Sequence, residues 1–176
     1  GGLELGALGC LNDNEKDINL KIALELKEIL SQMGANVIMT RDCDANVSLS
    51  DRVKIAEDNC TNIFISIHLN SIPDIKMNIH KNSGTGVYYY NENSKELAKI
   101  MEKSLTSILK TRNDGVHQAS YAVIRPTSYV GVLVETAYMT NPYDSVLYLS
   151  DDFSRKAAQG IADGILNYAF SLKKCK

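Results

Sequence analysis

A chain of 176 residues, 44% of them apolar and 23% charged, is long enough for one domain around one core. Its composition excludes a disordered or fibrous protein. The formal net charge of −2 gives no electrostatic reason to expect nucleic acid or an anionic membrane as partner. No run approaches the ~20 apolar residues of a transmembrane helix.

The chain opens on GGLELGALG, which reads as the middle of something, so an upstream segment is expected. Residues 16–33 carry Ile22, Leu26, Ile29, Leu30 and Met33 on one helical face, and Gly34 sits where a helix ends. NVIMT at 36–40 reads as a strand. Residues 48–59 read as a helix with Ser48 or Ser50 as its N-cap. Residues 62–67 form an apolar run expected to be a buried strand. The polar segment 72–85, with Pro73, Asn78, Asn82, Ser83 and Gly84, predicts a long loop or a short lid.

GVYYY at 86–90 predicts a strand. Residues 94–110 predict an amphipathic helix with Leu97, Ile100, Met101, Leu105, Ile108 and Leu109 on one side. YAVIR at 121–125 and YVGVLV at 129–134 predict two more strands, and residues 154–170 a closing helix. Strands that alternate with helices, several apolar throughout, imply an α/β class: a single domain with a mostly parallel twisted sheet and helices on both faces. Ligands of such sheets bind at the carboxyl ends of the strands.

Two apolar runs end there on polar side chains, the first on His68 and the second on Glu135. A carboxylate directly after Val-Leu-Val is costly to bury unless a metal, a cation or a donor meets it. For His68 the competing reading is a structural histidine bonded to a loop. For Glu135 it is an ion pair with Arg125 or Arg52. Glu15 opens the first helix, where an acid also complements the helix dipole. One imidazole and two carboxylates suit a zinc hydrolase, in which the metal activates water and a free carboxylate serves as general base. His80 and His117 are the remaining imidazoles, both in polar, loop-like stretches. Cys10, Cys43, Cys60 and Cys175 form no C-x-x-C pair and are expected as free thiols or small buried groups. No serine sits in a G-x-S-x-G elbow.

The ordered stretches GG....GALG (1–9), NEKDINLKIALELKEIL (14–30), GANVIMTRD (34–42), SLSDRVKIA (48–56), FISIHLNS (64–71), GVYYY (86–90), VLVETAYMTNPYD (132–144) and AAQGIADGILNY (157–168) resemble the zinc-dependent N-acetylmuramoyl-L-alanine amidases of the amidase 3 type. They cover nearly the whole chain. The resemblance implies a peptidoglycan hydrolase that uses Zn²⁺ to cleave the amide between N-acetylmuramic acid and L-alanine. Glu15 and His68 fall on zinc ligands, and Glu135 on the catalytic carboxylate. Arg125 matches an arginine near the family's site and is expected to touch substrate or an acid; Asn70 is expected at the substrate. The family's first zinc histidine immediately precedes the Gly-Gly pair, here Gly1 and Gly2, so the third ligand is expected just before Gly1, with the family's first strand upstream of it. Residues 1–176 are then the catalytic domain.

Other departures are Val130 for a common proline, Tyr138 for a common phenylalanine, and no acid at 86–88 where many members have a glutamate. The substrate implies an extracytoplasmic location at a bacterial cell wall, with muropeptide as partner and wall-binding modules or an activator protein as candidate companions. The alternatives are a wall-binding homologue that is impaired or dependent on a partner, and a zinc peptidase or deacylase acting on another amide.

Overall fold

A computed structural model describes residues 1–72 and 81–174. Five α-helices (α1, Glu15–Gln32; α2, Leu49–Asp58; α3, Lys95–Leu109; α4, Pro142–Tyr148; α5, Phe153–Lys174) accompany four strands: β1, Ile63–Asn70; β2, Thr85–Tyr89; β3, Asn113–Gln118; β4, Val130–Tyr138. The spatial order is β1-β4-β2-β3. β1 runs parallel to β4 and β2 parallel to β3, whereas β2 and β4 are antiparallel. The sheet is therefore mixed with parallel pairings in the majority, as the apolar strands imply. β4 lies inside the sheet and is buried along almost its whole length, which is why its sequence shows no polar alternation.

Ile63, Ile65, Ile67 and Leu69 of β1 and Val132 and Val134 of β4 face the larger core, where α1, α3 and α5 supply Ile22, Leu97, Met101, Leu105 and Ile161. The opposite face is covered over its first half by a smaller cluster, in which Phe64 and Leu133 meet Ala56 of α2, Val123, Ile124 and Tyr129. That cluster does not reach His68 or Glu135, toward the carboxyl ends of β1 and β4.

The helix boundaries follow local chemistry. Gly34 adopts φ 84°, and the amides of Gly34 and Ala35 close on the carbonyls of Ser31 and Leu30, the paired bonds of a left-handed helix stop. Ser48 caps α2 by accepting from the Asp51 amide. Asn141 caps α4 by accepting from the amides of Tyr143 and Asp144.

Five points differ from expectation. Residues 36–40 join no strand among those described, and Ile38 is 40% exposed. A strand needs backbone partners, and none of the described strands lies alongside. YAVIR forms a one-turn 3-10 helix at Ala122–Ile124, whose Val123 and Ile124 lie over the sheet face instead of extending its edge. A short apolar run does not by itself distinguish the two outcomes. β3 was not anticipated, because NDGVHQ is an edge strand without an apolar pattern. The runs ending at 67 and 134 continue as strand through His68 and Glu135 to Asn70 and Tyr138. The short helix α4 was likewise not anticipated. The segment 72–85 lies largely outside the described residues.

α3 and α5 approach closely where α5 has no side chain. A Cβ on Gly160 would meet Ile108 Cγ2 at 2.7 Å, and one on Gly164 would meet Met101 Sδ at 2.7 Å. Gly160→Val should therefore lower the unfolding free energy by about 1–3 kcal/mol through overpacking, read as a lower urea midpoint at unchanged m-value. An unchanged midpoint would mean the helices separate without cost.

Candidate active site

The site is set by strand register. His68 and Glu135 are Cα partners in the parallel β1–β4 ladder, and Gly86 of β2 is the partner of Glu135 on the other side. Cross-strand partners project from the same face, so the imidazole and the carboxylate emerge side by side at the open end of the sheet. One extra residue in β4 between the pairs His68–Glu135 and Asn70–Tyr138 turns Tyr138 back to that face.

Glu15 comes from the first turn of α1. Its Oε1 accepts from His68 Nδ1 at 2.9 Å and from Asn19 Nδ2 at 2.9 Å, and its Oε2 accepts from the Ala7 amide at 2.8 Å. An ionised carboxylate only accepts, so Nδ1 carries the proton in this pair. The Ser66 hydroxyl lies 2.9 Å from Nε2. The N-terminal segment can fold against this carboxylate because Gly6 has φ +75°, and a Cβ there would lie 2.5 Å from Glu15 Oε2. Lys16 holds the same segment down by donating to the Gly2 carbonyl at 2.9 Å and pairing with Asp44 at 2.7 Å.

The two carboxyls are driven in opposite directions. Burial works to raise the pKa of Glu15, but the His68 hydrogen bond and charge, the Ala7 amide and the Asn19 amide outweigh it and bring the value down to about 2. Glu135 is 9% exposed, and its Oε2 has no hydrogen-bond partner. Burial above all, then the negative charges of Glu15 and Asp114, push its pKa well above the usual carboxylate value. No ion pair joins Glu135 to Arg52 or Arg125 among the described residues. The Arg52 guanidinium donates instead to the Val47 carbonyl and the Thr40 hydroxyl.

The structure brings Glu15, His68 and Glu135 to one place. Asn70 ends β1 on the same face, and its Oδ1 accepts from the Ser71 amide at 2.8 Å. Arg125 follows the turn at Ala122–Ile124, is exposed, and offers its carbonyl to Asn91 Nδ2 at 3.1 Å. His117 is not in a loop as expected but in β3, where its ring lies tilted against that of Tyr88 and its Nε2 donates to the Asp114 carbonyl. His80 and Cys175 lie outside the described residues. Cys10, Cys43 and Cys60 are free and exposed. Among the described residues no group of three His, Cys, Asp or Glu gathers to hold a metal. Sequence reasoning missed the wall beyond Glu135, formed by Tyr88, Tyr138 and Asp114, because register and a bulge decide which of those side chains share a face.

Comparison with known proteins identifies the family. Residues 1–167 match the Amidase_3 family, N-acetylmuramoyl-L-alanine amidase. The chain is 36% identical to the uncharacterised protein YqiI of Bacillus subtilis over 172 residues, 96% of this chain and 80% of YqiI. It is 35% identical to the N-acetylmuramoyl-L-alanine amidase LytC of the same organism over 158 residues, 88% of this chain but 31% of LytC. The solved structure of N-acetylmuramoyl-L-alanine amidase AmiC2 of Nostoc punctiforme superposes with a TM-score of 0.90 at 35% identity, covering 96% of this chain and 92% of that one. Fold and relatives define a hydrolase acting on peptidoglycan. The chain belongs to the Amidase_3 family, the N-acetylmuramoyl-L-alanine amidases.

Asp144 holds the far side of this site together. Its Oδ2 accepts from the amides of Gly84 and Tyr138, each at 2.8 Å. Asp144→Ala should leave both amides unpaired and lower stability by about 2–4 kcal/mol, read by denaturant unfolding. A loss below the error of that measurement would mean that water replaces the carboxylate.

Proposed function

We propose that this chain hydrolyses the amide joining the lactyl group of N-acetylmuramic acid to the L-alanine of the stem peptide, with Glu15 and His68 holding Zn²⁺ and Glu135 carrying the proton. The observation that supports this reading best is the Glu135 carboxyl: buried, with one oxygen lacking a partner, and in register beside His68. Such a group destabilises a fold that gains nothing from it. It suits a base whose proton affinity must approach the working pH.

The donors present fit zinc in kind. Glu15 is held ionised, and His68 offers an imidazole, the oxygen and nitrogen donors that catalytic zinc takes. Here the two satisfy one another through the 2.9 Å hydrogen bond, a role that shared coordination would take over. The third ligand is, on the family's pattern, a histidine immediately before Gly1. Bound zinc would supply Lewis acidity that polarises the scissile carbonyl and acidifies water.

Glu135 would take a proton from the attacking water and pass it to the leaving nitrogen. Asn19 and the Ala7 amide would keep the Glu15 carboxylate aimed while this happens. Asn70 and Arg125 would contact the substrate on either flank. Such an enzyme works outside the cytoplasmic membrane at the wall, where wall-binding modules or an activator protein would bring it to its strands.

Glu135→Gln should keep the zinc content of the wild type and lose at least about 10²-fold in turnover, measured by mass spectrometry of the free L-alanyl amino terminus released from purified muropeptides. A variant that stays active would remove Glu135 from the base role. Chelation should abolish turnover and added Zn²⁺ should restore it; turnover that survives complete chelation would remove the metal from the reaction.

A further inference from the structure

The carboxylate of Asp114 lies on the side of Glu135 away from His68. The sheet order puts β1 with His68 on one flank of β4, and β2 and then β3 on the other. Thr85 pairs with Asn113 and Gly86 with Gly115, so Asp114 is an extra residue in β3. A bulge of this kind re-aims a side chain. Here it aims the carboxylate over Gly86: a Cβ on Gly86 would find Asp114 Oδ2 at 3.4 Å and Asp114 Cβ at 3.6 Å as its nearest neighbours. Since Gly86 is the Cα partner of Glu135, the shared face carries no side chain between the two acids.

Asp114 is also held in place. Tyr138 donates its hydroxyl to Oδ2 at 2.8 Å, and His117 Nε2 donates to the Asp114 carbonyl at 2.8 Å. Oδ1 has no partner among the described residues, and the side chain is half-buried. A fixed acceptor therefore stands on one side of Gly86, and Glu135, nine-tenths buried with an Oε2 that lacks a partner, is in register with Gly86 on the other. Two acids with unused acceptor capacity on either side of a residue without a side chain suit a ligand that brings donors.

We propose that Asp114 receives the nitrogen side of the scissile amide, so that the substrate lies across the strands with its carbonyl toward β1 and its L-alanyl peptide over Gly86 toward β3. This rests on the proposed function, which puts carbonyl polarisation at Glu15 and His68. Hydrolysis forms a carbon–oxygen bond from water and breaks the carbon–nitrogen bond. Both protons of water end on the nitrogen, which leaves as an ammonium beside a carboxylate product. The leaving group thus turns from a single N–H donor into a cation with three donors. Asp114 meets that cation with its carboxyl group in a half-buried position, where a hydrogen bond to a charged donor is stronger than one to a neutral donor. An acid here recognises the amine, whereas the metal pair recognises the acyl group.

The test is a binding measurement that needs neither metal nor turnover. The full chain is titrated with L-alanyl dipeptide amide bearing a free amino terminus, and with its N-acetylated counterpart, by isothermal titration and amide chemical shifts. The free amine should bind about tenfold more tightly, which corresponds to about 1.4 kcal/mol, and should shift the amides of Gly86, Gly115 and Tyr138. Asp114→Asn keeps an acceptor for Tyr138 and should erase the preference. Asp114→Ser serves if that variant misfolds, and Asp114→Glu should retain the preference. A preference that survives Asp114→Asn, or shifts that cluster away from β2 and β3, overturns the proposal. Failure of the proposed function would show differently, as turnover that survives Glu135→Gln while the amine preference stays intact.

Discussion

The site depends on one alignment, the parallel pairing of β1 with β4 that makes His68 and Glu135 neighbours. Everything that fixes that register lies elsewhere. Isoleucines of β1 and valines of β4 face the larger core, and a slip by one residue would turn each of them out of it. The apolar face therefore specifies the polar one. Glu135 lies beyond the smaller apolar cluster yet is only 9% exposed, so the register places a carboxyl where burial penalises its charge.

Around that alignment the protein separates two identical side chains by environment. Glu15 is surrounded by donors and is stabilised as an anion; Glu135 is deprived of them and is stabilised as an acid. The two are coupled, because the charge held at Glu15 is one of the causes that raise the proton affinity of Glu135. Pairs of carboxyls pushed apart in this way divide binding and proton transfer between them.

The sequence showed the class of the fold, the long helices and the three central residues of the site. It did so because each rests on local pattern: a 3.6-residue apolar period for α1, α3 and α5, and apolar runs broken by His68 and Glu135. What it missed rests on partners distant in the chain. The segment 36–40 has the composition of a strand without a neighbour, and NDGVHQ is a strand that only its neighbour β2 reveals. The fate of YAVIR was decided by the sheet face it covers. Asp114 and Tyr138 entered the site through two irregularities of register that no sequence period records. Gly86 proved to be the residue against which an acid from the adjacent strand leans.

The clasp formed by Asp144 has a mechanical consequence. One carboxylate oxygen grips the chain just before β2 and the last residue of β4 together, and the hydroxyl of that last residue steadies Asp114. Gly84, Asp144, Tyr138 and Asp114 are thus linked by single bonds. The chain entering β2 and the acid on β3 are therefore joined through the end of β4 as well as through the β2–β3 ladder, so the position of one is tied to that of the other twice over.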